Sequence, residues 1–193
     1  MARNQKKAKT EHRTLLFLDE AGFFLTPSLV KTWAPQGQTP VIRAPLRYPH
    51  LSVVSALTYD GRLFMHIHHH TIKTPEVIAF LRHLLLRVPG KLLLIWDGGP
   101  IHAGQALDAF LALDTSERLI VMKFPPYAPE VDPDEYVWRQ LKYTDLVNLT
   151  SYSLDQLHLR LRAATVRLRA RVTLLRNMIR RAGLKLSYAC VAL

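Results

Sequence analysis

Two short, unbroken apolar runs in this chain each stop on a carboxylate. Thr14–Leu18 (TLLFL) closes on Asp19 and Glu20, and Leu92–Trp96 (LLLIW) closes on Asp97, followed by Gly98, Gly99 and Pro100. A third run, Leu119–Phe124, leads into Pro125-Pro126-Tyr127. Apolar runs of this length bounded by turn residues read as buried strands. Strands of this kind need helices on their faces, which restricts the chain to a layered α/β architecture.

The intervening segments agree. Pro40–Arg43 reads as a short strand, and Leu51–Thr58 and Arg62–His69 flank Tyr59-Asp60-Gly61, an Asp-Gly hairpin signal. Thr74-Pro75 offers a helix cap followed by proline at the first helical position, and Val77, Ile78, Leu81, Leu84 and Leu85 recur on one face, which predicts a helix to about Val88. A second helix is expected over about Ile101–Leu113, and a third from Asp132, with Val137, Trp138 and Leu141 on its apolar face. The order is a hairpin first and then alternating β and α, a mixed sheet with helices packed on it.

At 193 residues and 49% apolar composition, the chain is long enough for one sizeable core. It carries 26 Lys and Arg against 15 Asp and Glu, a formal charge of +11. Such a surface suits a polyanion, and nucleic acid is the expected partner. The single cysteine, Cys190, excludes an internal disulfide and a thiolate zinc cluster of the usual spacing. Residues 1–13 read as a basic flexible tail without a signal-peptide core, and no uncharged stretch is long enough to span a bilayer. A cytoplasmic protein with no membrane partner is expected.

In a chain with few acids, a carboxylate where a buried strand leaves the sheet is informative, because the carboxyl ends of strands form the ligand crevice of such folds. Asp19 and Asp97 would be close if their strands are neighbours. Glu135 lies in the first turn of the helix that starts at Asp132. Each has a plainer reading: Asp97 as a turn initiator, Asp19 as a strand-end surface acid beside Glu20, Glu135 as part of a capping arrangement with Asp132 and Pro133. Their joint placement on two strands and a helix favours a shared site.

Four stretches, FLDEAGF (Phe17–Phe23), TWAPQGQTP (Thr32–Pro40), IWDGGPIH (Ile95–His102) and PPYAPEVDPDEYVWRQLK (Pro125–Lys142), together resemble the DDE transposases of bacterial insertion sequences, in the mariner-like superfamily. The resemblance runs from about Leu15 to Leu184. It implies a ribonuclease-H-like catalytic core with a mixed five-stranded sheet flanked by helices. It further implies that Asp19, Asp97 and Glu135 are the catalytic, metal-holding acids, and that His102 matches a histidine usual after the second aspartate. Asp132 stands where the family commonly has asparagine, and Asp134 adds a further acid. Two magnesium or manganese ions held by shared carboxylates would serve an in-line phosphodiester displacement. Water would first nick the element's end, and the freed 3′ hydroxyl would then attack target DNA.

His66, His68, His69 and His70 invite a metal reading, but alternation splits them between strand faces, and a polar sheet face is the favoured interpretation. From Gln156 to Leu193 there is no acidic residue. Leu157, Leu161, Ala164, Leu168, Val172, Leu175 and Ile179 form a helical stripe, and Arg160, Arg162, Arg167, Arg169, Arg171, Arg176, Arg180 and Arg181 surround it. This predicts one long basic C-terminal helix that packs through its apolar side while its arginines engage DNA phosphates.

The expected organisation is a basic tail (1–13), a ribonuclease-H-like catalytic core (14–150) and a basic helical extension packed on it (151–193). Because helix-turn-helix modules usually precede this core, a separate helix-turn-helix polypeptide is an expected partner, and a homodimer follows by analogy with paired transposon ends. The expected function is a metal-dependent transposase catalytic domain acting on transposon ends and target DNA. A non-catalytic DNA-binding remnant or regulatory product, and another ribonuclease-H-like nuclease, are the alternatives.

Overall fold

The first strand outlasts its apolar run. In the computed structural model, which describes residues 10–26, 34–37, 49–113, 115–124, 131–148, 151 and 153–183, β1 spans Arg13–Phe24. Asp19 and Glu20 therefore sit within the strand and not at its end. The chain continues through β2 (His50–Thr58), β3 (Leu63–His68), α1 (Thr74–Arg87) and β4 (Lys91–Trp96). A 3₁₀ turn, Pro100–His102, precedes α2 (Gln105–Ala112), and a single helical turn, Thr115–Arg118, leads into β5 (Leu119–Lys123). The last elements are α3 (Pro133–Gln140), a π-helical turn over Leu141–Asp145, α4 (Leu154–Arg169) and α5 (Val172–Arg181).

The five strands lie in the order β3-β2-β1-β4-β5. β1 pairs antiparallel with β2 and parallel with β4, and β5 joins β4 in parallel, so the sheet is mixed as expected. The Asp60-Gly61 hairpin forms, with Gly61 at φ +91°. A Cβ there would lie 3.0 Å from Arg176 Cγ and 3.2 Å from the Val172 carbonyl oxygen, so the turn needs glycine both for its backbone and for its seat on α5.

Side-chain alternation sends β1 to two cores. Leu15, Phe17 and Phe23 join Val137, Trp138, Leu161, Leu175 and Ile179 beneath α3, α4 and α5. Leu16 and Leu18 join Val77, Phe80, Leu84, Trp96 and Phe110 beneath α1 and α2. Leu161 is fully buried, and truncating it to Ala would cost about 2–5 kcal/mol. The C-terminal helices thus complete one face of the sheet.

Three expectations need correction. The long C-terminal helix is two helices, α4 and α5, separated at Ala170 and Arg171; Arg171 leaves helical geometry at φ −95°, ψ 57°. The helix expected over Ile101–Leu113 is broken by Ala103 and Gly104, the latter at φ +115° in a region that favours glycine. Helix α1 is capped at Lys73 and not Thr74: the Lys73 amide donates to Glu76 Oε2 at 2.9 Å, satisfying an end group from within the first turn. The strand expected over Pro40–Arg43, the Pro125–Glu130 segment, Cys190 and most of the N-terminal tail lie outside the described residues.

Candidate active site

Register builds the site. Leu18 of β1 stands beside Trp96 of β4 in parallel pairing, so Asp19 follows the last paired residue on β1 and Asp97 follows the last on β4, where that strand ends. On its other edge Asp19 faces Ser55 of β2. A carboxylate inside a central strand has little water around it, and burial lifts Asp19 to about 6, reinforced by the charges of Glu20 and Glu135 and opposed by hydrogen bonds from Trp138 and the Glu20 backbone.

The third acid arrives on α3. Asp132 caps this helix, its carboxylate accepting from the Asp134 amide at 2.9 Å. Trp138, one turn after Glu135, donates from Nε1 to Asp19 Oδ2 at 2.7 Å and pins the helix to β1. Glu135 is exposed, and its charge is felt by Asp19, Asp132 and Lys142. Asp132 is raised to about 8, first by burial and then by the charge of Asp19. Fully buried Asp134 is pushed well above the usual carboxylate range by burial and by Asp132, although the Ser55 hydroxyl donates to its Oδ1.

Glu20, the neighbour of Asp19, points to the opposite face of the sheet. There its Oε1 meets His102 Nε2 at 3.0 Å, while His102 Nδ1 lies 2.8 Å from Asp97 Oδ1. The imidazole is stacked on Trp96 and buried. Burial by itself would lower the His102 pKa; the hydrogen bond to Glu20 and the charges of Glu20 and Asp97 outweigh it and raise it. Asp97 Oδ1 also accepts from the Gly99 amide at 2.9 Å, an Asx-type turn that fixes the carboxylate as the chain leaves β4.

Among the described residues, the group of metal-capable side chains whose ligand atoms all fall within 4.8 Å of one another is Glu20, Asp97 and His102. Asp19, Asp97 and Glu135 do not converge that tightly. A pair of ions does not require them to: with ions about 3.5–4 Å apart and bonds of about 2.1 Å, the outer ligands of a bridged pair can stand roughly 8 Å apart. The donors are all hard oxygens, and burial together with neighbouring negative charge raises Asp19 and Asp132, a cost that a bound divalent cation would relieve, so the residues fit magnesium or manganese.

Glu20 and Lys142 are missed by sequence reasoning. Glu20 gains no role from the sequence because nothing local shows that a histidine eighty-two residues later will cover it. Lys142 follows α3 in the π-helical turn, lies 5.2 Å from the Phe23 ring centre, and has its ammonium pKa lowered by burial against the pull of Glu135 and Asp19. Its spacing of seven from Glu135, two turns along the same side of a helix, was the available signal.

The histidine run divides as alternation requires. His66, His68 and His70 form one series of ring contacts, and His83 joins His66 at 4.7 Å between centroids. His69 pairs with His158, Nε2 to Nδ1, at 2.8 Å. Among the described residues these histidines do not form a three-ligand group. On the C-terminal helices, Arg169 donates to the Leu63 carbonyl at 3.0 Å and Arg176 to the Asp60 carbonyl at 2.9 Å, tying both to the hairpin. Arg160, Arg162, Arg167, Arg171, Arg180 and Arg181 are exposed.

With a mixed five-stranded sheet and acids gathered where its central strands emerge, the molecule has the architecture of ribonuclease-H-like nucleic-acid enzymes. A family model described as DDE superfamily endonuclease matches residues 14–158, and the chain belongs to that family. Solved structures with a similar fold include the mariner Mos1 paired end complex with Mg (TM-score 0.65, 15% identity, 96% of this chain and 60% of that chain). The catalytic domain of Mos1 mariner transposase is also similar (TM-score 0.56, 13% identity, 96% and 89%). A third is the simian T-cell lymphotropic virus intasome in complex with a PP2A regulatory subunit (TM-score 0.51, 16% identity, 78% and 46%). This chain spans about 60% of the length of the Mos1 chains in the paired-end complexes. No curated protein sequence matches it. Among the described residues no helix is long and apolar enough to cross a membrane.

Proposed function

We propose that this protein is the catalytic domain of a transposase, carrying out metal-dependent DNA strand cleavage and strand transfer. The observation that supports the reading is the parallel pairing of β1, which carries Asp19, with β4, which leads into Asp97, together with the Trp138–Asp19 hydrogen bond that ties the helix bearing Glu135 to β1.

In this reading Asp19, Asp97 and Glu135 would hold magnesium or manganese, with two ions expected. Bound there, such ions stabilise charge on the attacking and leaving oxygens of a phosphodiester displacement. His102 is a positioning residue: its Nδ1 contact orients Asp97, and its Nε2 is anchored by Glu20. Trp138 orients the Asp19 carboxylate and favours its ionised form. Lys142, beside Glu135 and Asp19, supplies a cation for a phosphate oxygen of the strand. Arg160, Arg162, Arg167, Arg171, Arg180 and Arg181 contact DNA phosphates without reading sequence, and Arg169 and Arg176 join them while bracing the hairpin. Holding two transposon ends together calls for a second copy of the chain, and choosing those ends calls for a helix-turn-helix module.

The test is nicking of supercoiled DNA with magnesium or manganese. Nicking is expected with either metal and is lost in Asp97→Asn, which still binds DNA. Undiminished nicking by the purified variant overturns the assignment; binding without nicking by the unaltered protein favours a DNA-binding protein over an enzyme.

A further inference from the structure

Beside the catalytic helix lies a second concavity. After Gln140, α3 runs into the π-helical turn Leu141–Asp145, a rare local geometry often met at functional sites. Tyr143 in that turn is 54% exposed. A cavity of about 490 Å³ opens between α3, this turn and α5, a volume typical of small-ligand sites.

Its lining is chemically selective. Tyr136, the residue after Glu135, and Tyr143 contribute aromatic surface; Leu174 and Met178 of α5 contribute apolar surface; Arg139 and Arg181 contribute the charge. The Tyr136 hydroxyl donates to the Arg181 carbonyl at 3.3 Å and holds the two helices in register across the cavity. Among the described residues no carboxylate lines the cavity and none pairs with either guanidinium. Two arginines without acidic partners beside two tyrosines suit a ligand with one anionic group and one planar ring. A chain of net charge +11 is a poor occupant of the same place on another copy.

We propose that this cavity binds one unpaired nucleotide of the DNA substrate, its base stacked on Tyr143 and its phosphate held by Arg139 and Arg181. The inference rests on the DNA-cleaving reading and adds a strand-end subsite to it. A paired base keeps its faces inside the duplex stack, whereas an unpaired one offers a free π-face to an aromatic side chain. Because Tyr136 adjoins Glu135 on one helix, a nucleotide held here would register the strand against the acids.

The experiment compares two labelled duplexes by fluorescence anisotropy in metal-free buffer, one flush-ended and one carrying a few unpaired nucleotides. The unaltered protein is expected to prefer the overhang. Tyr143→Ala should weaken overhang binding about fivefold or more while flush binding stays the same, and Tyr143→Phe should retain it. Arg139→Gln should reduce the salt slope of overhang binding by about 1. Equal affinity for both duplexes in the unaltered protein, or an unaffected Tyr143→Ala with an unchanged melting curve, overturns the subsite. A change of oligomeric state in Tyr143→Ala overturns it in favour of an interface between copies. The two readings fail separately: Asp97→Asn should keep the overhang preference while losing nicking, and a silent Tyr143→Ala leaves nicking assigned to the acids. Absence of DNA binding overturns both.

Discussion

The imidazole of His102 lies flat on the indole of Trp96, with ring centroids 4.3 Å apart and planes 2° from parallel. Stacking fixes the ring, so each nitrogen faces a fixed carboxylate, Asp97 on one side and Glu20 on the other. His102→Ala should strip the mostly buried Glu20 of its partner and cost about 2 kcal/mol or more in urea unfolding. The sign of its pH dependence follows from the raised pKa. The charged imidazole is favoured in the folded protein, so its stabilisation is fully present below the unfolded value and fades as pH rises through the higher folded one. The stability gap between the unaltered protein and His102→Ala should therefore narrow with increasing pH.

Trp138 acts on Asp19 through one hydrogen bond that favours the ionised carboxylate. Trp138→Phe removes the donor and keeps most of the ring, so the Asp19 pKa, already about 6, should climb further. Manganese titrations should then show weaker binding than in the unaltered protein near neutral pH, with the deficit shrinking as pH rises and the carboxylate ionises. A deficit that stays constant across that range would place the role of Trp138 in packing alone.

Asp134 is a carboxyl in the wrong solvent. It is fully buried, its Oδ2 has no hydrogen-bond partner, and its pKa is raised well above the ordinary value. A raised carboxyl opposes folding wherever the unfolded chain would ionise it. Asp134→Asn keeps an oxygen for the Ser55 hydroxyl and should stabilise the protein at pH 7 by about 1 kcal/mol or more. Below about pH 4, where the unfolded carboxyl is also protonated, the gain should vanish. Thermal melting at the two pH values checks both statements.

The arginines of α4 should separate into two kinds. Arg169 satisfies carbonyls of β3, the edge strand of the sheet among the described residues, so Arg169→Ala should lower the melting temperature. Arg160 and Arg162 are exposed, and replacing both with Gln should leave the melting temperature unchanged while reducing the salt slope of DNA binding by about 2. Equal effects of the two replacements on stability would contradict the assignment of Arg169 to the hairpin.

The strands at Thr14–Leu18, Leu92–Trp96 and Leu119–Phe124, the Asp-Gly hairpin and the α3 cap at Asp132 were all legible because each depends on local preference or on a short apolar period. That the strands leading to Asp19 and Asp97 are neighbours could be stated from the sequence only as a condition, because it depends on parallel pairing between residues almost eighty apart. Less was visible where a short break changed direction. Arg171 divides the basic C-terminal stripe into two helices, and Gly104 delays the start of another until Gln105, because a stripe records which side is apolar and not whether the axis is continuous.

By itself, the sequence determined an acid-poor, strongly basic α/β chain with carboxylates directly after its buried apolar runs, since charge, period and turn chemistry are written residue by residue. Only the tertiary structure decided that Glu20, and not Asp19, faces His102, that Trp138 holds Asp19, and that Asp134 is sealed from water. The physical reason is that a strand sends adjacent side chains to opposite faces, and which partners wait on each face is set by contacts between residues far apart along the chain.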